Sequence, residues 1–431
     1  IKCIEDEIPF EVPEGWAWAR LRDICMMSAG KSKSTDQIKS EPFEGSYPCF
    51  GGNGVRGYVD EYNQDGIFSI VGRQGALCGN INIAIGKFYA TEHAVVTTLF
   101  DGIDFKWSNY ILEALRLNNY ATGAAQPGLS VANILNVFVP VPPTQEQDRI
   151  GNNVYESLKI VEALEQEKID LQKIIITAKT KILDLAIRGK LVPQDPNDEP
   201  ASVLLERIRT EKEELIKQGK IKRDKKESVI FKGDDNSYYE KLPDEKINCI
   251  DKQLPFELPD GWKWCNLSMI GTTNIGLTYR PADIDTQGII VLRSCNIVND
   301  RINRTDLVRV KTSIRENQFV QKDDILICAR NGSRSLVGKC ALIPELAEKV
   351  SFGAFMAVYR TPYFSYIVHF LRSNFFRSVF DDSNSTAINQ LTQDMLKRAV
   401  VPLPPLAEQL RIVDKITELF ERLNCIEESL N

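Results

Sequence analysis

The sequence predicts an α+β fold in which two α/β domains, related by an internal pseudo-two-fold repeat, are separated by two long antiparallel coiled-coil helices. The first observation is the repeat: Pro-Phe-Glu-x-Pro-x-Gly-Trp-x-Trp begins at Pro9 and again at Pro255. The second is a Pro-Pro-x-x-Glu-Gln motif that closes each copy, beginning at Pro142 and at Pro404. The third is a long proline-free segment with periodic apolar residues after the first closing motif, which is typical of a helix.

These landmarks divide the chain into a first domain at 1–141, a helical spacer at 142–246, a second domain at 247–403 and a second spacer helix at 404–431. Between the landmarks the two copies differ almost everywhere, which indicates one task carried out on two different targets. The chain begins with Ile, and residues 1–4 match residues 247–250, so we expect that another segment preceded residue 1 in the natural protein.

Composition and charge limit the classes of function. The chain is 43% hydrophobic and 26% charged, which is ordinary for a soluble globular protein. No apolar run approaches the roughly 20 residues that cross a bilayer, so we expect no membrane span. Its ten cysteines form no Cys-x-x-Cys pair and it has two histidines, so we predict no metal site, reduced thiols and a cytoplasmic location. The net charge is −6, but the second copy is net positive, so charge alone does not decide between protein and nucleic-acid partners.

Each copy combines short apolar runs typical of strands with a few brief helices. In the first domain we predict strands at Ile67–Val71, Ile81–Ile85 and Ala94–Phe100 and helices at Trp107–Leu117 and Val131–Asn136. In the second we predict strands at Ile289–Arg293, Asp324–Cys328, Cys340–Ile343 and Ala354–Tyr359 and helices at Tyr363–Ser373 and Gln393–Lys397. The two Gly-Trp-x-Trp motifs are expected to anchor the two cores, because tryptophan buries a large apolar surface.

The first spacer helix is expected at about 144–188, with Thr144 and Gln147 forming a capping box at its start. Its apolar residues follow a heptad pattern typical of a coiled-coil seam. The seam residues are Val154, Val161, Leu164, Leu171, Ile175, Ile182 and Leu185, and the C-terminal segment continues their register with Ile416, Leu419, Leu423 and Ile426. Because the registers agree, we expect the two helices to pack on each other. A helix of this length spans roughly 66 Å at about 1.5 Å per residue.

A turn-rich connection at 189–200 follows the first helix. A second helix is expected at about 202–218, with Ser202 as its N-cap and Gly219 as the residue that ends it. The charged segment 220–226 is expected to be a solvated linker.

Two glycine-containing stretches resemble enzyme motifs, but their surroundings argue against that function. Residues 52–57 match the dinucleotide-binding pattern G-x-G-x-x-G, yet no strand–turn–helix unit surrounds them, so we interpret them as a surface loop. Gly30-Lys31-Ser32 resembles the end of a phosphate-binding loop, but Cys25 stands where its first glycine belongs. We find no nucleophile–base arrangement, methyltransferase motif or nuclease cluster, and we predict a chain without catalytic residues.

Direct reading of DNA needs Arg, Lys, Asn or Gln side chains held beside base edges. Arg73 aligns with Arg330, each followed two residues later by glycine, which predicts a guanidinium aimed at a groove; the alternative is a β-turn with a solvated arginine. The first-domain candidates are Asn53, Arg56, Tyr58, Arg73, Gln74 and His93, although a lone histidine entering an apolar strand is also typical of a structural residue. The second-domain candidates are Arg280, Arg293, Asn296, Arg330, Asn331, Ser333, Arg334, Lys339, Asn389 and Gln390.

Together, the paired Pro-Pro-x-x-Glu-Gln helix starts, the segment Leu183–Pro196 and the loop Gly52–Tyr58 resemble the specificity subunit of type I restriction–modification enzymes over essentially the whole chain. The resemblance implies two target recognition domains that each read one half of a bipartite, asymmetric DNA site, with the helices as a ruler for the gap. It implies double-stranded DNA, two methyltransferase subunits and restriction subunits as partners. It also implies that S-adenosylmethionine, ATP and Mg²⁺ belong to those partners, with no cofactor in this chain.

Two alternatives stay open at the level of the sequence. The chain could be the recognition half of a single-chain restriction–methylation enzyme, which requires catalytic motifs upstream of residue 1. It could also be a duplicated coiled-coil adaptor that binds protein and no nucleic acid, which requires that it lack DNA affinity even beside a methyltransferase.

Overall fold

The computed structural model describes residues 8–75, 77–123, 127–221, 223, 227–242, 244–381 and 390–430. The chain forms two compact units, Ile1–Glu167 (unit 1) and Lys168–Asn431 (unit 2), and their boundary falls inside the first long helix. None of the helices within the described residues combines the length and apolar character of a transmembrane span.

Unit 1 is built on one mixed sheet. Its strands are β1 (Ala17–Arg20), β2 (Cys25–Ala29), β3 (Tyr47–Gly51), β4 (Gly54–Val59), β5 (Gln64–Gly72), β6 (Ile81–Ala90), β7 (Ala94–Leu99) and β8 (Phe138–Val141). Its helices are α1 (Leu21–Ile24), α2 (Phe105–Ala114), α3 (Val131–Ile134) and the beginning of α4 (Thr144–Ile187). The predicted strands and helices of the first domain are thus confirmed to within a few residues.

Six strands of unit 1 pair in the order β2-β7-β5-β6-β3-β4. Neighbouring strands are antiparallel except β3 and β6, which are parallel. β1 pairs separately with β8, so the strand that carries the second tryptophan of the opening motif lies beside the strand that leads into the closing motif. The core between sheet and helices includes Leu21, Val71, Val95, Trp107 and Leu112.

Unit 2 contains more and shorter strands. They are β9 (Val229–Lys232), β10 (Tyr238–Lys241), β11 (Ile247–Cys249), β12 (Lys263–Asn266), β13 (Thr272–Ile275), β14 (Ile284–Leu292), β15 (Ile297–Val298), β16 (Arg301–Ile302), β17 (Val308–Val310), β18 (Ile325–Cys328), β19 (Cys340–Leu342), β20 (Val350–Phe352), β21 (Met356–Arg360) and β22 (Val400–Leu403). Its helices, after the end of α4, are α5 (Ala201–Lys217), α6 (Leu267–Ile270), α7 (Phe364–Arg372), α8 (Asn374–Asp381), α9 (Gln393–Arg398) and α10 (Leu406–Ser429).

The strand order of unit 1 returns in unit 2, divided into two sheets. The sheet β13-β21-β18-β19 corresponds to β2-β7-β5-β6, and the sheet β20-β14-β17 corresponds to the end of β6 followed by β3 and β4. β14 and β20 are parallel, as β3 and β6 are. The division arises because the counterpart of the continuous strand β6 is interrupted at residues 343–349. The repeat therefore extends through the sheet, well beyond the two sequence motifs.

Within unit 2, α10 packs antiparallel on the last turns of α4. Lys179 Nζ donates to Glu427 Oε2 at 2.7 Å near the end of α10, whereas Arg411 near its start pairs with Asp198, which lies beyond the end of α4. The buried residues of this contact are Leu183, Ala186 and Ile187 of α4 and Ile412 and Ile416 of α10.

The prediction of a continuous seam along α4 is wrong. Val161, Leu164 and Leu171 are exposed and Val154 is half-buried, since the last turn of α10 already lies against Lys179. Ile175 is buried as predicted, but Ile182 and Leu185 are only half-buried, because the buried face turns towards Leu183, Ala186 and Ile187, where α4 also contacts the second domain. On α10, Ile416 is buried, Leu419 and Leu423 are half-buried and Ile426 is exposed.

The helix ends also differ from expectation. Gln147 forms no capping box, because its side chain accepts from the Asp104 N–H at 2.9 Å and donates to the Pro142 carbonyl at 2.9 Å. α5 begins at Ala201, so Ser202 is not its N-cap, whereas Gly219 follows it with a φ of +70° as predicted.

The region predicted to be helical spacer and linker contains strands as well. β9, β10 and β11 form a three-stranded antiparallel sheet between α5 and the second Gly-Trp-x-Trp motif. Of the predicted linker 220–226, residues 222 and 224–226 lie outside the described residues, and Arg223 forms an ion pair with Glu213. The described part of the linker is thus tied to α5.

Candidate nucleic-acid interface

Main-chain hydrogen bonds define which loop residues correspond in the two units. In unit 1 the Arg73 N–H donates to the His93 carbonyl at 2.9 Å, and the Arg73 carbonyl accepts from the Leu129 N–H at 2.8 Å. In unit 2 Ala329 makes both bonds, with Phe355 at 2.9 Å and with Leu391 at 2.7 Å. The Arg330 N–H also donates to the Phe355 carbonyl, at 3.0 Å, so the bond with Leu391 is the one that distinguishes the two residues.

Arg73 therefore corresponds to Ala329, and the alignment of Arg73 with Arg330 is wrong by one residue. The counterpart of Arg330 is Gln74, and the pairing of Gln74 with Gly128 and of Arg330 with Gln390 agrees with this. The correction matters because consecutive residues of an extended chain point to opposite sides.

A recess of about 590 Å³ opens beside Gln74 in unit 1. Its residues are Gly51, Gly52, Asn53, Gly54, Val55, Arg56, Gln74, Gly75, Leu77 and His93. Four of these are glycines, so the main chain itself forms much of the wall. We call this cavity the unit 1 recess, and it brings together Asn53, Arg56, Gln74 and His93 of the predicted candidates.

Several polar groups of the unit 1 recess are held in place. Arg56 Nη2 donates to Thr35 Oγ1 at 3.0 Å, and Asn80 Nδ2 donates to Asn53 Oδ1 at 3.1 Å. His93 Nε2 lies 3.5 Å from Glu92 Oε1. These contacts orient the side chains while leaving further donors of the guanidinium and of the Asn53 amide available.

Three buried polar atoms near the unit 1 recess have no hydrogen-bond partner among the described residues: His93 Nδ1, Glu92 Oε2 and Asn82 Nδ2. Asn82 reaches this loop, because its Oδ1 lies 3.0 Å from the position that a Cβ at Gly54 would occupy. Buried polar atoms in proteins are normally paired with protein groups, water or a ligand, so these three atoms make the wall of the recess receptive to polar groups. Asn82 was missed in the sequence, where only its place between Ile81 and Ile83 on a strand gave any signal.

Arg73 and Tyr58 do not line the unit 1 recess. Arg73 lines a neighbouring recess of about 540 Å³, which shares Gln74 with the first and also contains Thr122 and Ser130. Tyr58 lies on β4, half-buried, where its N–H donates to the Lys39 carbonyl at 2.8 Å.

In unit 2 the corresponding surface is filled by side chains. The Gly353 N–H donates to the Leu292 carbonyl, as the Thr91 N–H does to Phe50, so Arg293 and Ser294 stand where unit 1 has Gly51 and Gly52. By the same correspondence Asn331 replaces Gly75 and Phe355 replaces His93. These four residues lie on one surface of unit 2, and Arg330 lies beside them.

The filled surface of unit 2 is ordered by side-chain contacts. Asn331 Nδ2 donates to Ser294 Oγ at 3.2 Å. The Arg330 guanidinium carbon lies 5.5 Å from the ring centroid of Phe355, which is 59% exposed. An exposed ring and a guanidinium are both groups on which bases can stack. Ser294 and Phe355 are not among the residues predicted from the sequence, because their place beside Arg330 and Asn331 follows only from main-chain bonds between the loops.

Two second-domain candidates use their polar groups in contacts within unit 2. Asn296 is 1% exposed, accepts from the Arg293 N–H at 2.9 Å and donates to the carbonyls of Asn303 and Asp306. This arrangement favours a structural role for Asn296, because its amide is used inside the loop. Arg293 Nη2 pairs with Asp306 Oδ2 at 2.9 Å, which restrains its guanidinium at the edge of the surface.

The remaining second-domain candidates lie at varying positions. Ser333 and Arg334 are exposed in the loop after Arg330, and Lys339 is half-buried at the end of that loop. Gln390 is exposed and pairs with Arg330 through the main chain. Arg280 is exposed before a short turn, with its N–H donated to Asp283. Asn389 lies outside the described residues.

Within the described residues, no group of three or more His, Cys, Asp or Glu side chains is arranged to hold a metal ion. Burial raises the pKa of the Cys25 thiol to about 12, and it also raises the pKa of the buried thiols of Cys49 and Cys328. These cysteines are thus protonated packing residues near neutral pH.

The type I restriction modification DNA specificity domain family matches residues 13–178 and 259–431, which is most of the chain and includes both copies. The chain belongs to this family. It is a specificity subunit, which determines DNA target recognition within a type I restriction–modification complex and is the non-catalytic subunit of that complex.

The specificity subunit is similar to several curated relatives. It is 27% identical to the type I restriction enzyme EcoAI specificity subunit of Escherichia coli over 494 residues, covering 97% of this chain and 80% of the relative. It is 50% identical to the EcoprrI specificity subunit of Escherichia coli over 123 residues, covering 28% of this chain and 31% of the relative.

Two solved structures share the fold. A chain from a study of "complex assembly and conformational transition of the type I R-M system" matches with a TM-score of 0.59 and 15% identity, over 98% of this chain and 94% of that one. The HsdS subunit from Thermoanaerobacter tengcongensis matches with a TM-score of 0.52 and 15% identity, over the same shares of the two chains. At these identities the likeness concerns the fold alone.

Proposed function

We propose that the unit 1 recess and the corresponding filled surface of unit 2 each read one half of a bipartite, asymmetric DNA site. The observation that carries this proposal is the repeated main-chain frame, which holds different side chains at equivalent positions of the two units. A shared frame keeps the approach to DNA the same, and the different side chains read different bases.

The two surfaces differ in the bases that they suit. Gln and Asn side chains pair with the N6 and N7 edge of adenine, whereas Arg pairs with O6 and N7 of guanine. Unit 1 offers Asn53 and Gln74, with Arg56 and His93 beside them, and unit 2 offers Arg330 and Asn331. We therefore propose an adenine among the bases that unit 1 contacts and a guanine among those that unit 2 contacts.

The complex supplies the remaining functions. We propose that two methyltransferase subunits bind S-adenosylmethionine and methylate adenine, and that restriction subunits use ATP and Mg²⁺. In this proposal α4, which runs uninterrupted from Thr144 to Ile187, sets the gap between the half-sites. We further propose that the methyltransferase partners supply part of the positive charge that neutralises DNA phosphates, which is compatible with the net charge of −6 of this subunit.

One half-site is proposed to be shared with a relative. The 123-residue block at 50% identity to the EcoprrI specificity subunit is close in length to one recognition domain, whereas identity over longer alignments with other relatives is 24–33%. Such a local rise in identity supports a common half-site in one domain and a different one in the other.

The test is methylome sequencing of the host with the wild-type gene, with its deletion, and with the variants Gln74→Ala and Arg330→Ala. Deletion removes one bipartite motif with N6-methyladenine in both halves. Each variant relaxes the base preference of one half only, and the two variants affect different halves.

Lys87→Ala and Lys311→Ala are matched controls, because both lysines are exposed and neither lines these surfaces. They leave the motif unchanged. If both alanine variants relax the same half, the assignment of one half-site per unit is wrong. If the purified complex has no affinity for DNA of any sequence, the adaptor alternative replaces this proposal.

A further inference from the structure

In unit 2 a segment after α4 holds the two sequence motifs of the repeat together. The Trp262 Nε1–H donates to Glu408 Oε2 at 2.9 Å, so the opening and closing motifs are joined by a buried hydrogen bond. Gln194 Nε2 donates to the other carboxylate oxygen, Glu408 Oε1, at 3.1 Å. The Glu408 carboxylate is thus bridged from both sides. We call residues 189–201 the clasp segment.

Three more contacts fix the clasp segment in unit 2. Arg411 Nη2 donates to Asp198 Oδ2 at 2.6 Å, and the Ala201 N–H donates to the Gly261 carbonyl at 2.8 Å. Gly189, with a φ of +64°, lies so close to Pro259 that a Cβ at this position would be 2.5 Å from its Cγ. The segment is therefore seated by one buried carboxylate, one ion pair and one main-chain bond.

Unit 1 carries the same receiving groups in the same local geometry. Gly15, Trp16, Glu146 and Arg149 correspond to Gly261, Trp262, Glu408 and Arg411. The main-chain N–H of Trp16 donates to the Pro13 carbonyl at 3.1 Å, and the main-chain N–H of Trp262 donates to the Pro259 carbonyl at 3.2 Å. The Gln147 side chain donates to Pro142 at 2.9 Å, as Gln409 does to Pro404 at 3.0 Å.

The described residues of unit 1 do not occupy these groups. Trp16 Nε1 is buried without a hydrogen-bond partner among them. The side chains of Glu146 and Arg149 likewise make no hydrogen bond or ion pair within the described part of the chain. Leu158 of α4 is 43% exposed, whereas its counterpart Phe420 is packed against the core of unit 2.

We propose that Gly15, Trp16, Glu146 and Arg149 form a docking site for a second polypeptide segment with the chemistry of the clasp segment. Its occupant carries a glutamine amide for the Glu146 carboxylate, an aspartate four residues later for Arg149, and a backbone N–H three residues after that for the Gly15 carbonyl. Positive Arg149 and negative aspartate supply the charge complementarity, and Glu146, once oriented by the glutamine, accepts the buried Trp16 N–H. Burial of the receiving indole N–H without a partner in unit 1 favours an occupant, because such donors are normally paired.

The probe is a synthetic peptide with the sequence of residues 183–201, labelled with a fluorophore and titrated into the full specificity subunit while polarisation is measured. We expect saturable binding to one site. Asp198→Ala in the peptide and Arg149→Ala in the protein each weaken binding by about tenfold or more, because a hydrogen-bonded ion pair is lost.

Arg411→Ala is the matched control, since Arg411 occupies the equivalent position in unit 2, where the clasp segment is already bound. It leaves the affinity of the peptide unchanged. A charge exchange protects the result against simple unfolding: Arg149→Asp abolishes binding of the original peptide, and an Asp198→Arg peptide restores it.

Absence of saturable binding overturns the proposal. So does binding that is insensitive to Arg149→Ala, or binding that is lost in Arg411→Ala, since the peptide then exchanges with the segment of unit 2. These outcomes are independent of DNA recognition, because none of the four receiving residues lines the unit 1 recess.

Discussion

The same backbone frame supports a recess in one unit and a filled surface in the other. In unit 1, Gly51, Gly52 and Gly75 leave a cavity of about 590 Å³, with His93 at its side. In unit 2, Arg293, Ser294 and Asn331 occupy the equivalent positions. The shape of each surface is therefore set by side-chain volume at a few loop positions, and not by a change in strand order.

The difference in shape is also a difference in chemistry. The unit 1 recess exposes amide groups and main-chain atoms, which suit a DNA group that enters the cavity. The unit 2 surface projects a guanidinium that lies over the Phe355 ring. Two half-sites read by such surfaces have no reason to be related in sequence, and an asymmetric target follows from the comparison.

The largest expected effect concerns the shared frame. A Cβ at Gly30 would lie 2.1 Å from the Ala90 carbonyl oxygen, and one at the equivalent Gly276 would lie 2.2 Å from the Gly353 carbonyl oxygen. Gly30→Ala and Gly276→Ala should each lower the free energy of unfolding of their own unit by about 3 kcal/mol or more, because main-chain atoms must move apart. Urea unfolding followed by hydrogen exchange measures the loss in each unit.

Gly332→Ala is the control for stability, because a Cβ there meets nothing within 4 Å, and it should change the free energy of unfolding by less than about 0.5 kcal/mol. Tolerance of alanine at Gly30 but not at Gly276 would show that the two frames are not equivalent.

Exchanging the two proposed base-contacting residues tests whether each sets the base preference of its own unit. Because Gln74 and Arg330 occupy equivalent positions, Arg330→Gln should weaken the preference of the unit 2 half-site for guanine by about 1–3 kcal/mol, and Gln74→Arg should weaken the preference of the unit 1 half-site for adenine by a similar amount. Binding of the complex to DNA duplexes with single-base changes in each half measures both. Arg73→Gln should leave the base preference at the Gln74 position intact, since Arg73 does not line the unit 1 recess.

The variant Asn296→Ala tests whether Asn296 stabilises the fold or contacts DNA bases. Asn296→Ala removes hydrogen bonds to the Arg293 N–H and to the Asn303 and Asp306 carbonyls, so it should lower the stability of unit 2 by about 1–2 kcal/mol. The base preference of the methylated motif should stay the same. The exposed Asn317 is the control, because its side chain makes one exposed hydrogen bond, to Asn274 Oδ1 at 3.2 Å, and the loss of that bond should have little effect on stability. A relaxed motif at unchanged stability would return Asn296 to the DNA-reading residues.

Stability at low pH also distinguishes the units. Burial, with Arg372 nearby, lowers the pKa of His369 to about 3, and the equivalent residue on α2 of unit 1 is Tyr110. The unfolded chain binds a proton below about pH 6.5, whereas folded unit 2 does not. Unit 2 should therefore lose stability as the pH falls from about 6.5 towards 3, by up to about 1.4 kcal/mol per pH unit.

His369→Leu should remove that part of the pH dependence below about pH 6.5. Above pH 6.5 His369 is mostly neutral in both states, so the pH dependence of stability should be the same in the variant and the wild type. The measurement is the difference in urea unfolding between the variant and the wild type at a series of pH values. An identical pH dependence in both proteins would mean that His369 takes up a proton as readily in the folded state as in the unfolded chain.

Sequence reasoning located the elements better than the residues that face outward from them. Runs such as Ile67–Val71 and the long helix from Thr144 were placed correctly, because apolar period and helix length are properties of the local sequence. The sheet β9–β11 was missed because its strands are short and interrupted by charged residues.

The candidate site shows more clearly what could not be predicted from the sequence. Arg73 was matched with Arg330 because both precede a nearby glycine, but the loop of unit 2 is longer, and only main-chain bonds identify Gln74 as the true counterpart. Asn296 was chosen by residue type, and its burial depends on a loop of unit 2 that folds back on itself. A contact that forms only in the tertiary structure cannot be predicted from the neighbouring residues in the sequence.

The main-chain character of the frame has an evolutionary consequence. The bonds that Arg73 makes with His93 and Leu129 in unit 1, and Ala329 with Phe355 and Leu391 in unit 2, use only N–H and carbonyl groups, which every residue except proline provides. Substitution at these positions changes what is presented to a partner without removing the bonds that hold the loop. New target specificities can thus arise by drift at nearly constant stability, one unit at a time, while the other unit preserves its own target.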